Sequence, residues 1–208
     1  MTASPLTLAV MDLVETFVRA DRAISGAVAG LGDAWSAILP PVFATDPADR
    51  SVRDAVAHLA RDEAWIPALL ARRTMADVGL DAFDGDLLGA DPAAAFGRLA
   101  AAAQTAAGAV TDLEAPVHCS FGDCSTEEYL WQLVVARTLG AEALAAAAAT
   151  PSPVDEALAA AVLAGLAPRA KLWRTVGILR PAVAPASPSA RDALLALSGG
   201  VRAVRPVD

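Results

Sequence analysis

Aromatic residues are scarce in this chain, and their scarcity limits the folds that the sequence can form. They make up 5% of the 208 residues, whereas apolar residues of all types make up 55% and alanine is the commonest of these. Alanine has the highest helix propensity of any residue and leaves little side chain between neighbouring helices. This composition therefore predicts closely packed helices rather than a sandwich of β-sheets.

Basic residues are also few relative to acidic ones. The chain has 16 Lys and Arg against 24 Asp and Glu, which gives a formal net charge of -8. Proteins that bind nucleic acid neutralise phosphates with clustered Lys and Arg, so this balance argues against a nucleic-acid partner.

Long hydrophobic runs are missing as well. The longest uncharged run, residues 99–111, is rich in alanine and shorter than the roughly 18 residues that span a bilayer. The first residues lack a basic leader and carry Asp12 and Glu15 within their apolar stretch, unlike a signal peptide. We therefore expect a soluble, cytoplasmic protein with no membrane partner.

Cysteine occurs only twice, in the segment VHCSFGDCS, where Cys119 and Cys124 follow His118. Two cysteines are too few for a disulfide framework, and no second pair exists that would complete a zinc site. If residues 117–121 form a short strand, His118 and Cys119 point to opposite faces and cannot both line one site. We expect two free thiols.

Helix starts are well marked, because small polar caps recur three residues before an acid. Four such pairs are Ser51 with Asp54, Ser125 with Glu128, Ser152 with Asp155, and Ser189 with Asp192. Asp91 before Pro92 marks a fifth start. The predicted helices cover residues 6–31, 51–72, 92–112, 125–149, 153–167 and 189–198. We expect one all-α domain over residues 1–208, a four-helix bundle with short extra helices, one short strand, and a C-terminal strap at about 168–208.

His58 is the most informative candidate for chemistry. On a helical wheel it shares a stripe with Asp62, Trp65 and Leu69, at the edge of the core stripe. Asp62, one turn away, could accept a hydrogen bond from the imidazole and fix its tautomer, as in a general base or a metal ligand. A structural histidine with a neighbouring acid would show the same pattern.

Several segments resemble one known family. DGDLLGADPAAAFGRL, VHCSFGDCSTEEYLWQL, RTVGILRPAV and ARDALLALSGG are similar to the actinobacterial branch of the DinB-like superfamily. This branch resembles the metal-binding domain of mycothiol-dependent maleylpyruvate isomerases. The resemblance covers residues 35–199 and implies a four-helix bundle that holds a divalent metal through three residues.

The resemblance also implies which residues would form the site. The first metal ligand of the family, a histidine on the second helix, matches His58. The acid and the second histidine, four residues apart, would stand at positions that Ala136 and Gly140 occupy here. Because one imidazole binds a metal weakly, we expect no metal and no other cofactor. We expect instead an enlarged, largely apolar cavity edged by Tyr129 and Gln132, with Trp65 and Tyr129 as the side chains that would fill it if neighbours moved in. Gly140→Leu should fill this space at little net cost in stability.

Three functions follow from this interpretation. In the first, a small, largely apolar molecule binds in a pocket formed by Trp65, Tyr129, Gln132, Ala136 and Gly140, and His58 with Asp62 acts on it as a metal-free acid or base. In the second, the pocket belongs to a non-catalytic binding protein or pseudoenzyme, or supports a homodimer. The third is metal-dependent mycothiol transfer or isomerisation, with Asp62 or Glu142 as a substitute ligand, although Glu142 faces away from the Ala136 stripe.

Overall fold

The all-α class is confirmed by the computed structural model, which describes the backbone of residues 5–200 and the side chains of residues 12–200. The described helices are α1 Pro5–Ala29, α2 Val52–Leu70, α3 Met75–Val78, α4 Pro92–Gly108, α5 Thr126–Ala147, α6 Glu156–Leu166, α7 Ala170–Thr175 and α8 Ala190–Ser198. A 3-10 turn, Ala34–Ser36, follows α1, and two short strands, β1 Pro116–Cys119 and β2 Gly122–Ser125, precede α5.

The four long helices, α1, α2, α4 and α5, form the bundle. α1 contacts both α5 and α4. α2 packs against α4 and also contacts α5, which closes the bundle. Phe17, Ile24, Ile66 and Leu130 are fully buried between them. α6 and α8 pack on each other and add an outer layer against α1 and α5.

Most predicted helix starts are correct because their caps are local. The side-chain oxygens of Ser51, Ser125 and Ser189 each accept a hydrogen bond from the backbone amide three residues later, at 3.1, 3.2 and 3.1 Å. Asp91 caps α4 in the same way, and Pro92 stands at its first position. Each cap satisfies one of the amides that the first turn of a helix leaves without a partner.

The predicted start of α6 is wrong. Ser152 does not cap it: the Ser152 hydroxyl accepts a 3.1 Å hydrogen bond from the amide of Val154, two residues later, and donates a 2.6 Å hydrogen bond to Glu142 Oε1 on α5. The helix begins three residues later, where Asp155 accepts a 2.7 Å hydrogen bond from the amide of Leu158. Two possible caps stand close together, and the tertiary contact with Glu142 selects between them.

Two short helices were not predicted, α3 and α7. α3 carries a complete capping box, in which Thr74 Oγ1 accepts from the amide of Asp77 and Asp77 Oδ2 accepts from the amide of Thr74. The spacing of Thr74 and Asp77 is visible in the sequence and is the signal for this helix. α7 lies in the predicted strap, and its N-cap residue, Arg169, makes no side-chain capping hydrogen bond, so the sequence gives no such signal there.

The predicted short strand is one half of an antiparallel hairpin. β1 ends at Cys119 rather than at Phe121, and Ser120 and Phe121 connect it to β2. The register pairs Val117 with Cys124 and Cys119 with Gly122, so these four residues share one face. Because Val117 is buried, this is the face that meets the helices.

The C-terminal part of the chain crosses the surface of the bundle. The backbone amide of Ala44 donates to the carbonyl of Ile178, and the guanidinium of Arg180 donates to the carbonyls of Val42 and Phe43 at 3.3 and 3.0 Å. This segment therefore ties the loop after α1 to the outer helices.

The outer helix α6 approaches α5 closely at Gly165. A side chain at this position would overlap the indole of Trp131 on α5, so the absence of a Cβ permits the approach. The Arg169 guanidinium lies 5.2 Å from the centre of the same indole and donates to Glu127 and Glu128 in the first turn of α5.

No helix within residues 5–200 combines the length and the apolar character that crossing a bilayer requires.

Candidate functional site

Two neighbouring cavities lie between α2 and α5. The hairpin cavity, about 240 Å³, is bounded by Trp65 and Leu69 of α2, by the first turns of α5 and by residues 119–121 of the hairpin. The loop cavity, about 100 Å³, is bounded by the first turns of α2, the middle of α5 and residues of the loop after α1. Asp62 and Ala136 line both cavities.

The residues predicted for the site all line one or both of these cavities. Trp65, Tyr129 and Gln132 line the hairpin cavity, His58 and Gly140 line the loop cavity, and Asp62 and Ala136 lie in the wall between the two. Their spacing explains this arrangement, because residues three, four or seven apart share one face of a helix. The facing stripes on α2 and α5 thus meet as predicted, and the functional roles of these residues stay predictions.

The hydrogen bond predicted between His58 and Asp62 is not formed. His58 Nε2 lies 3.9 Å from Asp62 Oδ2, beyond hydrogen-bond range, and 63% of the His58 side chain is exposed. The two side chains lie on the outer part of α2, where water competes for both of them. Asp62 therefore attracts His58 only when the imidazole is protonated, and it does not fix the tautomer of the ring.

Trp65 and Tyr129 form the aromatic walls of the hairpin cavity, and both are largely buried. The indole of Trp65 meets the ring of Phe83 edge to face, with 4.9 Å between the ring centres. Burial raises the pKa of Tyr129 well above its ordinary value, so its hydroxyl stays neutral and can both donate and accept a hydrogen bond.

A buried polar cluster lies next to this cavity and was missed by the sequence analysis. We define it as Asp21 of α1, Glu63 of α2, Gln104 of α4 and Arg137 of α5. Arg137 Nε donates a 2.8 Å hydrogen bond to Glu63 Oε1, and Gln104 Nε2 donates a 2.7 Å hydrogen bond to Asp21 Oδ2. The side chains of Glu63 and Arg137 are 0% and 1% exposed. Each long helix of the bundle contributes one member.

The cluster holds two carboxyl groups, Asp21 and Glu63, but only one cation, Arg137. Its single positive charge cannot balance both carboxyl groups in the ionised form. Burial raises the pKa of Glu63 to about 8, although the Arg137 charge opposes the shift. Burial also raises the pKa of Asp21, whose Oδ1, like Oε2 of Glu63, has no hydrogen-bond partner within the described residues. One arginine balances one carboxylate, so near neutral pH the pair of acids holds one proton.

Arg137 connects the polar cluster to the hairpin cavity, because it lines that cavity as well. Its Nη2 lies 2.6 Å from Glu63 Oε1 but has no hydrogen bond of good geometry within the described residues. This nitrogen is itself buried, so the contact of Arg137 with the cavity leaves its Nη2 facing Glu63.

A signal for this cluster exists in the sequence. Glu63 falls on the core stripe of α2, seven residues after Val56 and three before Ile66, both fully buried. A charged residue at such a position needs a buried partner, which sequence periodicity can indicate but cannot name.

Metal-binding side chains do not gather in the described part of the chain. Within it, no three His, Cys, Asp or Glu residues lie close enough together to hold an ion. Glu142, considered as a substitute ligand, instead accepts from Ser152 and lies 3.7 Å from Arg191. His118 hydrogen-bonds to Asp123 across the hairpin at 2.9 Å, and the two cysteines are free thiols.

Gly140 does not open into empty space as the sequence analysis expected. A Cβ at this position would lie 3.0 Å from Cδ1 of Ile24, so the glycine lets α1 close on α5. A larger side chain at position 140 would therefore press on α1 as well as reach the loop cavity.

We expect Gly140→Leu to lower the free energy of unfolding by about 1–3 kcal/mol through overpacking, even though leucine favours a helix by up to about 1 kcal/mol over glycine. Ala136→Leu is the matched control, because Ala136 is half-buried and lines both cavities. It should change the free energy by less than about 1 kcal/mol. Chemical denaturation measures both, and equal losses would contradict this account.

The raised pKa of Glu63 predicts that stability falls as pH rises. Folded protein keeps the Glu63 proton up to about pH 8, whereas an unfolded chain loses it near the ordinary value of 4.5. Between these values the folded state binds more protons, so the free energy of unfolding should fall, by at most about 1.4 kcal/mol per pH unit.

Denaturation from pH 5 to 8.5 measures this slope, and Glu63→Gln, which resembles the protonated acid, should flatten it. The exposed Glu15 offers a control, and Glu15→Gln should keep the wild-type slope. An unchanged slope in Glu63→Gln would show that Glu63 does not hold the proton.

No family model matches this chain, and no curated protein or solved structure is significantly similar to it, so its resemblance to DinB-like bundles stays a prediction.

Proposed function

We propose that this chain binds a small, largely apolar molecule in the hairpin cavity. The observation that carries the proposal is the cavity itself, about 240 Å³ between α2, α5 and the hairpin, with two aromatic walls and polar groups from all three elements. Binding pockets are typically apolar spaces with a few well-placed polar groups. A dry cavity of about 150 Å³ holds benzene, so this volume fits a molecule of about one substituted ring.

The lining chemistry favours a ring with a polar substituent. Trp65 and Tyr129 offer apolar and aromatic surface to the ring. The Tyr129 hydroxyl and the Gln132 amide offer hydrogen bonds to the substituent, and the Arg137 side chain lines the same wall. These three groups come from α5 alone, so one rigid helix would orient the ligand.

The resemblance to DinB-like bundles supports the same place for a ligand. In that family the space between the corresponding helices holds a metal site, whereas Ala136 and Gly140 here carry almost no side chain. The small Ala136 leaves room in the wall that the two cavities share. A metal-dependent thiol transfer or isomerisation would need ligands besides His58, and it ranks behind binding for that reason.

Metal-free catalysis by His58 is a second candidate, and the shared wall favours it. His58 lines the loop cavity, which Asp62 and Ala136 separate from the hairpin cavity. A ligand that extends past Ala136 would bring a reacting atom toward the imidazole, the side chain that serves most often as a general acid or base.

Binding can be tested with phenol, indole and benzoate as probes, by titration monitored through protein NMR shifts. We expect at least one probe to saturate, and Ala136→Leu to weaken its affinity by about tenfold or more because the leucine occupies the cavity. Ala143→Leu is the matched control, since Ala143 is half-buried and lines a separate cavity on α5. It should leave the affinity within about twofold.

Absence of saturable binding by all three probes, or equal affinity in Ala136→Leu, would overturn the proposal. A nonspecific apolar surface would instead respond equally to both leucine variants.

His58→Gln separates binding from catalysis. If His58 acts as an acid or base, a probe that the wild type converts should remain bound with affinity within about twofold while its conversion stops. Conversion that continues in His58→Gln would exclude this role, and NMR of the probe itself follows both quantities.

A further inference from the structure

The two cysteines lie side by side on the hairpin. Cys119 ends β1 and Cys124 lies within β2, and their sulfur atoms are 4.0 Å apart. The register pairs neither with the other directly, so they are diagonal neighbours on the inner face, with Val117 and Gly122. Both are half-buried, which leaves each sulfur within reach of a small reagent.

The hairpin can bring the two sulfurs together with a small movement. A disulfide has an S–S length of about 2.05 Å, so the sulfurs must approach by about 2 Å. Rotation about the Cα–Cβ bonds supplies part of this movement, and because diagonal neighbours stand near the largest Cα separation that a disulfide bridges, the strand ends must also draw together. The turn next to them, Ser120 and Phe121, is exposed, and 66% of Phe121 lies open to solvent. Little packing therefore opposes an adjustment of the strand ends.

We propose that Cys119 and Cys124 form a reversible dithiol–disulfide pair that exchanges with low-molecular-weight disulfides at the wall of the hairpin cavity. Nothing in the proposal depends on what the cavity binds. The sequence alone indicated two ordinary thiols, and the register of the hairpin is the observation that brings them together.

The environment of the thiols sets the order of the steps. Burial raises the pKa of Cys119 to about 12, and the neighbouring Cys124 adds to the shift. Burial also raises the pKa of Cys124, but there a hydrogen bond from Cys119 favours the thiolate. Cys124 is therefore the first nucleophile and Cys119 the second.

The exchange consumes one small disulfide. The Cys124 thiolate attacks one sulfur of the small disulfide, forms a mixed disulfide and releases one small thiolate, which takes up a proton. Cys119 then loses its proton and attacks Sγ of Cys124, which forms the intrachain bond and releases the second small thiol. The protein thiols lose two electrons in total, and the small disulfide gains them.

Formation of this bond would alter the hairpin cavity. Cys119 lines that cavity together with Ser120 and Phe121 of the turn. Drawing Cys119 toward Cys124 moves this part of the wall and fixes the turn. The shape of the hairpin cavity therefore depends on whether the two cysteines are reduced or joined.

The test uses the full chain, reduced, desalted and then incubated at pH 8.5 with glutathione disulfide. Intact mass should show a monomer lighter by two hydrogens, and thiol titration in denaturant should fall from two thiols to none. Excess dithiothreitol should restore both thiols. Cys119→Ser should instead gain one glutathione and keep it, because the second nucleophile is gone.

A series of glutathione to glutathione disulfide ratios measures how readily the two cysteines are oxidised to the intrachain disulfide. At the ratio that oxidises half of the wild type, Cys119→Ser and Cys124→Ser should be at least about tenfold less oxidised, because the second thiol of the wild type reacts intramolecularly. Wild type that carries only mixed disulfides, forms only intermolecular dimers, or keeps both thiols while the unfolded chain reacts would each overturn the proposal. These outcomes need no ligand, so failure here leaves the binding proposal untouched.

Discussion

The buried hydrogen-bonded contact between the Glu63 carboxyl group and the Arg137 guanidinium is the interaction on which the arrangement of the bundle depends. Both side chains are removed from water, and each would be strongly destabilising without the other. Asp21 and Gln104 extend the pair to the remaining two long helices. Apolar contacts tolerate sliding along a helix, whereas the bond from Arg137 to Glu63 forms in only one register of α5 on α2, and the bond from Gln104 to Asp21 in only one register of α4 on α1.

This cluster also determines the chemistry that the hairpin cavity can offer. Arg137 faces both, and its charge is already balanced by the acids behind it. A ligand in the cavity therefore does not meet an uncompensated positive charge. A neutral polar group on the ligand suits such a wall better than a full negative charge, because Asp62 also lies on the cavity lining.

Local signals in the sequence predict most of the fold, and long-range contacts account for what they miss. Ser51 and Ser189 cap their helices as predicted, because a cap and its amide are three residues apart. Ser152 does not, because its hydroxyl accepts from the nearer amide of Val154 and is oriented by its bond to Glu142 on another helix. For the site, helical periodicity brings the correct stripes of α2 and α5 together, yet it cannot tell that Gly140 backs onto Ile24 or that Glu63 meets Arg137. Those facts depend on how closely, and at what height, two helices approach.

The contact of Trp131 with Gly165 has a consequence for how the outer layer is joined to the bundle. The indole lies against the bare backbone of α6 on one side, and the Arg169 guanidinium lies 5.2 Å from its centre. Arg169 in turn donates hydrogen bonds to Glu127 and Glu128. These are the two residues that immediately precede Tyr129, an aromatic wall of the cavity. A single aromatic ring thus joins α6 to α5. A tilt of α6 would therefore move the first turn of α5, which leads into the cavity wall at Tyr129.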